Sequence, residues 1–168
     1  MNENYTFTFA QTDDLPRILE IFEKSIRADY DVADQIIQKC LADLAEAFNN
    51  RQHDFSFWVA KETENGKVIG WLSYLPIFDS ILKKDTALEA SIYLDAEFRA
   101  NGLGFEFLSH TIKQIQGFHL VFAFLNANKI PSIKLFAKIG FESVGKIPSS
   151  ENAFPYFSEK NLFIYKLK

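Results

Sequence analysis

Residues 87–125 read as strand, glycine-containing loop, helix and strand in immediate succession, and this unit constrains the fold more than any other stretch. Ala87 to Leu94 has the apolar alternation of a strand, a helical pattern runs from Gly102 to about Gln116, and Phe118 to Leu125 is an apolar, aromatic-rich strand. Two strands joined through a helix pair in parallel, with a right-handed crossover. The stretch therefore favours a mixed sheet with a parallel pair and a helix packed on it.

The remaining pattern extends that sheet. Tyr5 to Phe9 alternates aromatic with Thr, a period of two. Thr12-Asp13-Asp14-Leu15-Pro16 carries capping side chains and a first-turn proline, and Leu15, Ile18, Leu19, Phe22 and Ile26 follow at helical spacing. A second helical stripe runs over 31–48 through Ile36, Ile37, Cys40, Leu41, Leu44 and Phe48. Strands at 55–61 and 67–74 flank Glu64-Asn65-Gly66, a hairpin turn. A helix at 131–139 stops at Gly140, strands follow at 141–146 and 161–167, and 76–85 and 148–158 are loops. The expectation is an α/β (α+β) chain with a mixed sheet of about seven strands, folded as one domain over 1–168.

Composition agrees with this. Hydrophobic residues make up 48% of 168 and Phe occurs 18 times, enough for a core and incompatible with intrinsic disorder. A net charge of −4 argues against a nucleic-acid partner. No apolar run approaches the ~18 residues of a membrane span, and 1–5 lack the features of a secretory signal. Cys40 is the single cysteine, so no internal disulfide forms, which fits a cytoplasmic location. His53, His110 and His119 are scattered, and no metal is expected.

The chemistry concentrates in the loop Arg99-Ala100-Asn101-Gly102-Leu103-Gly104. Amides at a helix start lack intrahelical acceptors, the helix dipole adds positive potential, and glycine lets a phosphate approach the backbone. Arg99 would contribute a charge-assisted hydrogen bond. A glycine-rich turn without ligand is the plain alternative. Neither a Walker sequence nor G-x-G-x-x-G is present.

Arg-x-x-Gly-x-Gly between a strand and a helix resembles the acetyl-coenzyme A pyrophosphate loop of the GCN5-related N-acetyltransferase (GNAT) family. Asp13-Asp14-Leu15-Pro16 looks like that family's first helix start, Ile69-Gly70-Trp71 its third strand, and the segment from Leu135 to Glu142 its terminal L-Y-E-K-L-G-F-E signature. Glu89 to Leu94 and Pro131 to Leu135 are most similar to the phosphinothricin-acetyltransferase-like branch.

The resemblance implies a mostly antiparallel sheet with helices on both faces and, in its middle, a parallel strand pair that splays into a wedge. Pantetheine would lie along the backbone of Ile92, Tyr93 and Leu94, as an added strand does. The pyrophosphate would sit on the amides of Arg99, Ala100, Asn101, Gly102, Leu103 and Gly104, and Asn128 would contact pantetheine, with Asn126 as its rival. Acetyl-coenzyme A would be the co-substrate and a small-molecule amine, such as an amino acid or analogue, the acceptor. A backbone N–H near Tyr93 or Leu94 would stabilise the oxyanion. Glu89, ahead of a bulge on the wedge strand, would be the general base, with a solvated or salt-bridged carboxylate as its alternative.

Two departures stand out. Phe136 occupies the position where the family often has Tyr or His and cannot protonate a leaving thiolate; Tyr93 and Tyr156 are the hydroxyls available to replace it. Asn128 also lies one residue farther from Leu135-Phe136 than usual. Trp71, Tyr74, Phe78, Phe154, Tyr156 and Phe157 are candidates for the acceptor wall or for core packing. Arg27 reads as a surface salt bridge in preference to a substrate contact, Cys40 as a core thiol, and Lys83, Lys84 and Lys160 as solvated. A non-catalytic acyl-coenzyme A-binding module and a protein or peptide N-acetyltransferase are the rival functions, and a homodimer is compatible with the resemblance.

Overall fold

The computed structural model describes residues 4–77, 86–148 and 159–167. Seven strands, β1 (Tyr5–Phe9), β2 (Phe57–Glu62), β3 (Val68–Pro76), β4 (Ala87–Leu94), β5 (Leu120–Asn126), β6 (Glu142–Ile147) and β7 (Lys160–Lys166), form one sheet in the order β1-β2-β3-β4-β5-β7-β6. All neighbours are antiparallel apart from β4 and β5. The helices are α1 (Leu15–Asp29), α2 (Asp34–Asn49), α3 (Leu103–Thr111) and α4 (Ile130–Ile139). The mixed α+β architecture expected from the sequence is the one observed. Residues 78–85 and 149–158, which fall in the stretches expected from sequence to be loops, lie outside the described residues, and with them Phe78, Phe154, Tyr156, Phe157, Lys83 and Lys84.

Each sheet face buries its own core. Ile18, Ile21 and Phe48 from α1 and α2 pack with Phe57, Val59 and Trp71. On the opposite face Leu103, Phe107, Leu108 and Phe136 from α3 and α4 cover Trp58, Ala60, Leu72, Tyr74, Leu88, Ala90, Val121 and Ala123. Burial on both faces explains why β2 and β3 read as near-continuous apolar runs. Helix α3 is shorter than the pattern to Gln116 suggests. Thr111 turns its hydroxyl back on the carbonyl of Phe107 and shares it with the Tyr74 hydroxyl at 2.9 Å, and a 3-10 turn over Ile112–Gln114 ends the element.

The central feature is a fork. Strands β4 and β5 pair only at Ala87–Leu120, Leu88–Val121 and Glu89–Phe122. Beyond that point β4 stays with β3 as far as Gly70–Leu94, while β5 stays with β7 as far as Asn126–Lys160. No bulge produces the fork. The β3–β4 register runs unbroken from Pro76–Leu88 to Gly70–Leu94, and the only shift near it lies between Ala60 and Lys61 of β2. The expected bulge after Glu89 is therefore absent, and the wedge opens because β5 diverges.

Gly70 lets β3 lie close to the end of β4. A Cβ there would stand 2.5 Å from Leu94 Cδ2 and 3.0 Å from the Tyr93 carbonyl oxygen. Gly70→Ala should destabilise the fold by about 1–3 kcal/mol, a fall of roughly 2–10 °C in Tm by calorimetry. Gly145→Ala, where a Cβ meets nothing within 4 Å, should leave Tm unchanged or slightly raised.

Candidate functional site

The register settles which backbone groups face the fork. Ile77 N–H donates to the Ala87 carbonyl at 3.2 Å, and Asp95 N–H donates to the Ile69 carbonyl at 2.8 Å. Antiparallel pairs alternate between bonded and non-bonded residues, so the odd-numbered residues of β4 spend their main-chain groups on β3. The even-numbered residues turn theirs toward β5. Past Glu89 there is no β5 partner, so the N–H groups of Ile92 and Leu94 have no strand partner among the described residues. Tyr93, expected from sequence to share this role, has its backbone committed to Trp71 in β3. Its contribution is its side chain.

The exposed edge runs into a loop of outward-facing amides. A 3-10 turn over Ala96–Phe98 follows β4, and Arg99 N–H closes it onto the Ala96 carbonyl at 3.3 Å. Arg99 is thereby removed from the set of unpaired amides. From Ala100 to Gly104 no main-chain N–H has an acceptor among the described residues, while Phe105 and Glu106 both donate to the Gly102 carbonyl. Ala100 has φ +65° and Gly102 +82°, the left-handed backbone that turns successive N–H groups toward one point, as in anion-binding nests. Gly102 is needed for that φ, and its missing Cβ would meet nothing. Gly104 has a different task. A Cβ there would lie 3.2 Å from Leu135 Cδ2 and 3.4 Å from Leu94 Cδ1, so it admits α4 and the end of β4 and is not an opening toward a ligand.

Two arginines clamp this corner to α1. Arg17 donates Nε to the Val68 carbonyl at 3.1 Å and pairs with Asp95, whose other oxygen accepts the Ala96 N–H at 2.8 Å. Arg99 donates Nε to the Leu94 carbonyl at 3.0 Å and a terminal nitrogen to the buried Ser25 hydroxyl at 3.1 Å. Its guanidinium is thus tied to the end of β4 and to α1, where it shapes the loop, while the residue as a whole stays exposed.

On the α1 and α2 face the strand presents Glu89, Ser91 and Tyr93. Tyr93 stacks on Trp71 at 4.7 Å and meets Phe22 edge-on at 5.2 Å. Burial raises its hydroxyl pKa, reinforced by Tyr30 and Glu89, so it is a neutral phenol at physiological pH. Burial likewise raises the Glu89 carboxyl above the usual carboxylate range, and Lys160 partly opposes the shift. The other prong of the fork carries a polar chain: Asn126 donates to the Tyr30 hydroxyl at the end of α1 and accepts from Lys160 Nζ at 2.6 Å. Beside it Lys129, ahead of α4, pairs with Asp29.

Other candidates divide cleanly. Asn128 is exposed and has no hydrogen-bond partner among the described residues, whereas Asn126 is engaged in the chain above. Phe136 is 1% exposed and packs edge-on against Phe141 at 4.9 Å, which makes it part of the core. Tyr74 is buried on the far face against Thr111 and does not wall an acceptor site. Arg27 pairs with Glu23 and Asp34 on the surface. His53 stacks on Phe55 and His110 lies against Phe7 and Trp58, both packing roles. Lys160 departs from its reading as a solvated loop residue; it opens β7 half-buried. Among the described residues no cluster of His, Cys, Asp or Glu could hold a metal ion, and no helix is long and apolar enough to cross a membrane. A cleft of about 450 Å³ lined by Phe9, His53, Phe55 and Gln114 lies at the opposite end of the sheet from the fork.

A family model described as "Acetyltransferase (GNAT) family" matches residues 15–141, from the start of α1 to the end of α4. The chain belongs to that acetyltransferase family. Within the GNAT family it is 30% identical over 145 residues to "Putative phosphinothricin acetyltransferase YwnH" of Bacillus subtilis, covering 85% of this chain and 87% of that one. Two solved GNAT-type structures superpose closely. An N-acetyltransferase from Staphylococcus aureus Mu50 has a TM-score of 0.77 at 26% identity, covering 98% and 99% of the two chains. A GNAT superfamily phosphinothricin acetyltransferase from Sinorhizobium meliloti, in complex with AcCoA, has a TM-score of 0.77 at 22% identity, covering 98% of this chain and 89% of that one.

The residues invisible to sequence reading were Arg17, Ser25, Tyr30 and, as a site residue, Lys160. Each sits in an ordinary helical or strand pattern, and only the fold brings them to the fork. Since burial penalises the Glu89 carboxylate, that penalty is present above the folded-state pKa and vanishes as pH falls and the group protonates. Glu89→Gln should therefore raise Tm at pH 7.5, with the gain shrinking toward pH 4 in a series of thermal melts.

Proposed function

We propose that residues 1–168 are one GNAT domain that transfers the acetyl group of acetyl-coenzyme A to the amine of a small molecule, an amino acid or analogue being the leading class. One observation carries the reading. The unpaired edge of β4 at Ile92 and Leu94 leads without interruption into the unpaired amides of Ala100, Asn101, Gly102, Leu103 and Gly104. A ligand with amide groups in its arm and a diphosphate at its end matches that order of donors. Asn128, exposed beside the second prong, is the side chain available to the same arm. The likeness to the Bacillus and Sinorhizobium proteins, both named as phosphinothricin acetyltransferases, supports the acceptor class.

In this reading the neutral amine attacks the thioester carbon. The new N–C bond forms as the carbonyl becomes an oxyanion, stabilised by the N–H of Ile92 or Leu94. Collapse then breaks the C–S bond and releases the thiolate. Glu89 takes the proton that the amine loses, directly or through water, and its environment suits the task because a raised pKa strengthens a carboxylate as a base. Phe136 donates nothing to the thiolate. A free thiol has a pKa of about 8.5, so its departure at neutral pH makes a modest demand, and the raised pKa of the buried Tyr93 phenol makes it a poor proton donor to that thiolate.

The reading extends to a cytoplasmic enzyme, in line with its single cysteine, and a homodimer is compatible with it.

Calorimetry with coenzyme A should show binding, and Gly102→Val should weaken it at least about tenfold by abolishing the left-handed turn. Glu89→Gln should lower kcat/KM on the best amine of a thiol-release panel by ~10²–10⁴-fold while leaving coenzyme A binding intact. Binding without turnover on any amine would identify a non-catalytic module. Turnover confined to peptides in mass spectrometry would identify a protein acetyltransferase.

A further inference from the structure

Lys160 is the cation of the Lys160–Asn126–Tyr30 chain at the far prong of the fork, and it is oddly placed for a surface lysine. It is half-buried at the first residue of β7, opposite Asn126 in the register, and its ammonium is held by the Asn126 side-chain oxygen at 2.6 Å. Asn126 is in turn anchored by the Tyr30 hydroxyl, so three separate elements (the end of α1, the end of β5 and the start of β7) fix one charge. Glu89 stands on the opposite prong and on the same sheet face, at the last paired position before the fork. The two interact through space, yet among the described residues no ion pair joins them. A direct pair would occupy the carboxylate oxygens, whereas a charge held back on an amide leaves them open to a proton.

We propose that Lys160 is a positioning residue for Glu89: pinned by Asn126 across the fork, its ammonium supplies the positive field under which the carboxylate is ionised and able to accept the proton of the acceptor amine. This deepens the reading above and rests on Glu89 being the base. Among the described residues, the charged and titratable groups facing this space are Tyr93 from β4, Tyr30 and Asp29 from the end of α1, Cys40 from α2, Lys129 on Asp29, and Lys160 from β7. Tyr93 is a neutral phenol and Asp29 is paired with Lys129, which among the described residues leaves Lys160 as the cation that acts on Glu89. Desolvation disfavours both charges, Glu89 being raised and Lys160 lowered, and each partly restores the other.

The test is a titration that a purely structural lysine would not move. The Glu89 carboxyl, assigned as the ¹³C resonance lost in Glu89→Gln, is followed against pH in the whole protein. In Lys160→Met its midpoint should rise, by on the order of one pH unit, because the cation that favours the ionised carboxylate is gone. Lys160→Arg, which keeps the charge, should stay close to wild type, and Asn126→Ala should fall between. The acidic limb of kcat/KM, measured with one amine throughout, should follow the same order. An unmoved midpoint in Lys160→Met overturns the proposal and leaves the base assignment standing. An acidic limb that persists in Glu89→Gln removes the base assignment and the proposal together. If Lys160→Met only raises KM for carboxylated amines, with the Glu89 midpoint in place, the lysine serves the substrate and the proposal is overturned.

Discussion

Everything at the site depends on how little of β4 is paired with β5. Three residue pairs hold the parallel strands together, and past Glu89 and Phe122 they part. Unpaired strand edges inside a sheet are costly because each leaves donors and acceptors to be satisfied elsewhere. The gap persists because helix α1 braces both prongs. Arg17, together with Ser25 acting through Arg99, secures the β4 side at Asp95, Val68 and Leu94. Tyr30 and Asp29, at the end of the same helix, secure the β5 side at Asn126 and Lys129. One rigid rod spanning both strands keeps them apart.

The fork divides the chemistry by direction. Within the plane of the sheet it offers main-chain N–H groups at Ile92 and Leu94, continuous with the amides that open α3. On the α1 and α2 face it offers the side chains of Glu89, Ser91 and Tyr93. Strand alternation makes this division unavoidable: residues whose backbone faces the gap send their side chains, Ile92 and Leu94, to the α3 and α4 core. One strand thus presents a backbone surface for one reactant and a side-chain surface for the other.

The loop between β4 and α3 shows how similar residues serve unlike purposes. Gly102 is required for a positive φ, Gly104 for the close approach of Leu135 and Leu94, and Arg99 for tying the loop to α1. Ala100 adopts a left-handed conformation that costs a non-glycine residue roughly 1–2 kcal/mol. Strain of that kind persists where the surroundings over-determine the backbone, and here the Arg99 and Asp95 hydrogen bonds do so.

The sequence by itself determined the elements, the parallel β4–β5 pair and the glycine-bearing loop, because periodicity, turn chemistry and a strand–loop–helix succession are local properties of the chain. It could not tell that Arg99 ties the loop to α1, that Tyr93 uses its backbone elsewhere, that the fork forms without a bulge, or that Lys160 leaves solvent for the far prong. Those depend on register, on which face a side chain joins and on contacts such as Tyr30 with Asn126, 96 residues apart. Such pairings are decided when the sheet assembles and the helices settle on it, and no local pattern carries them.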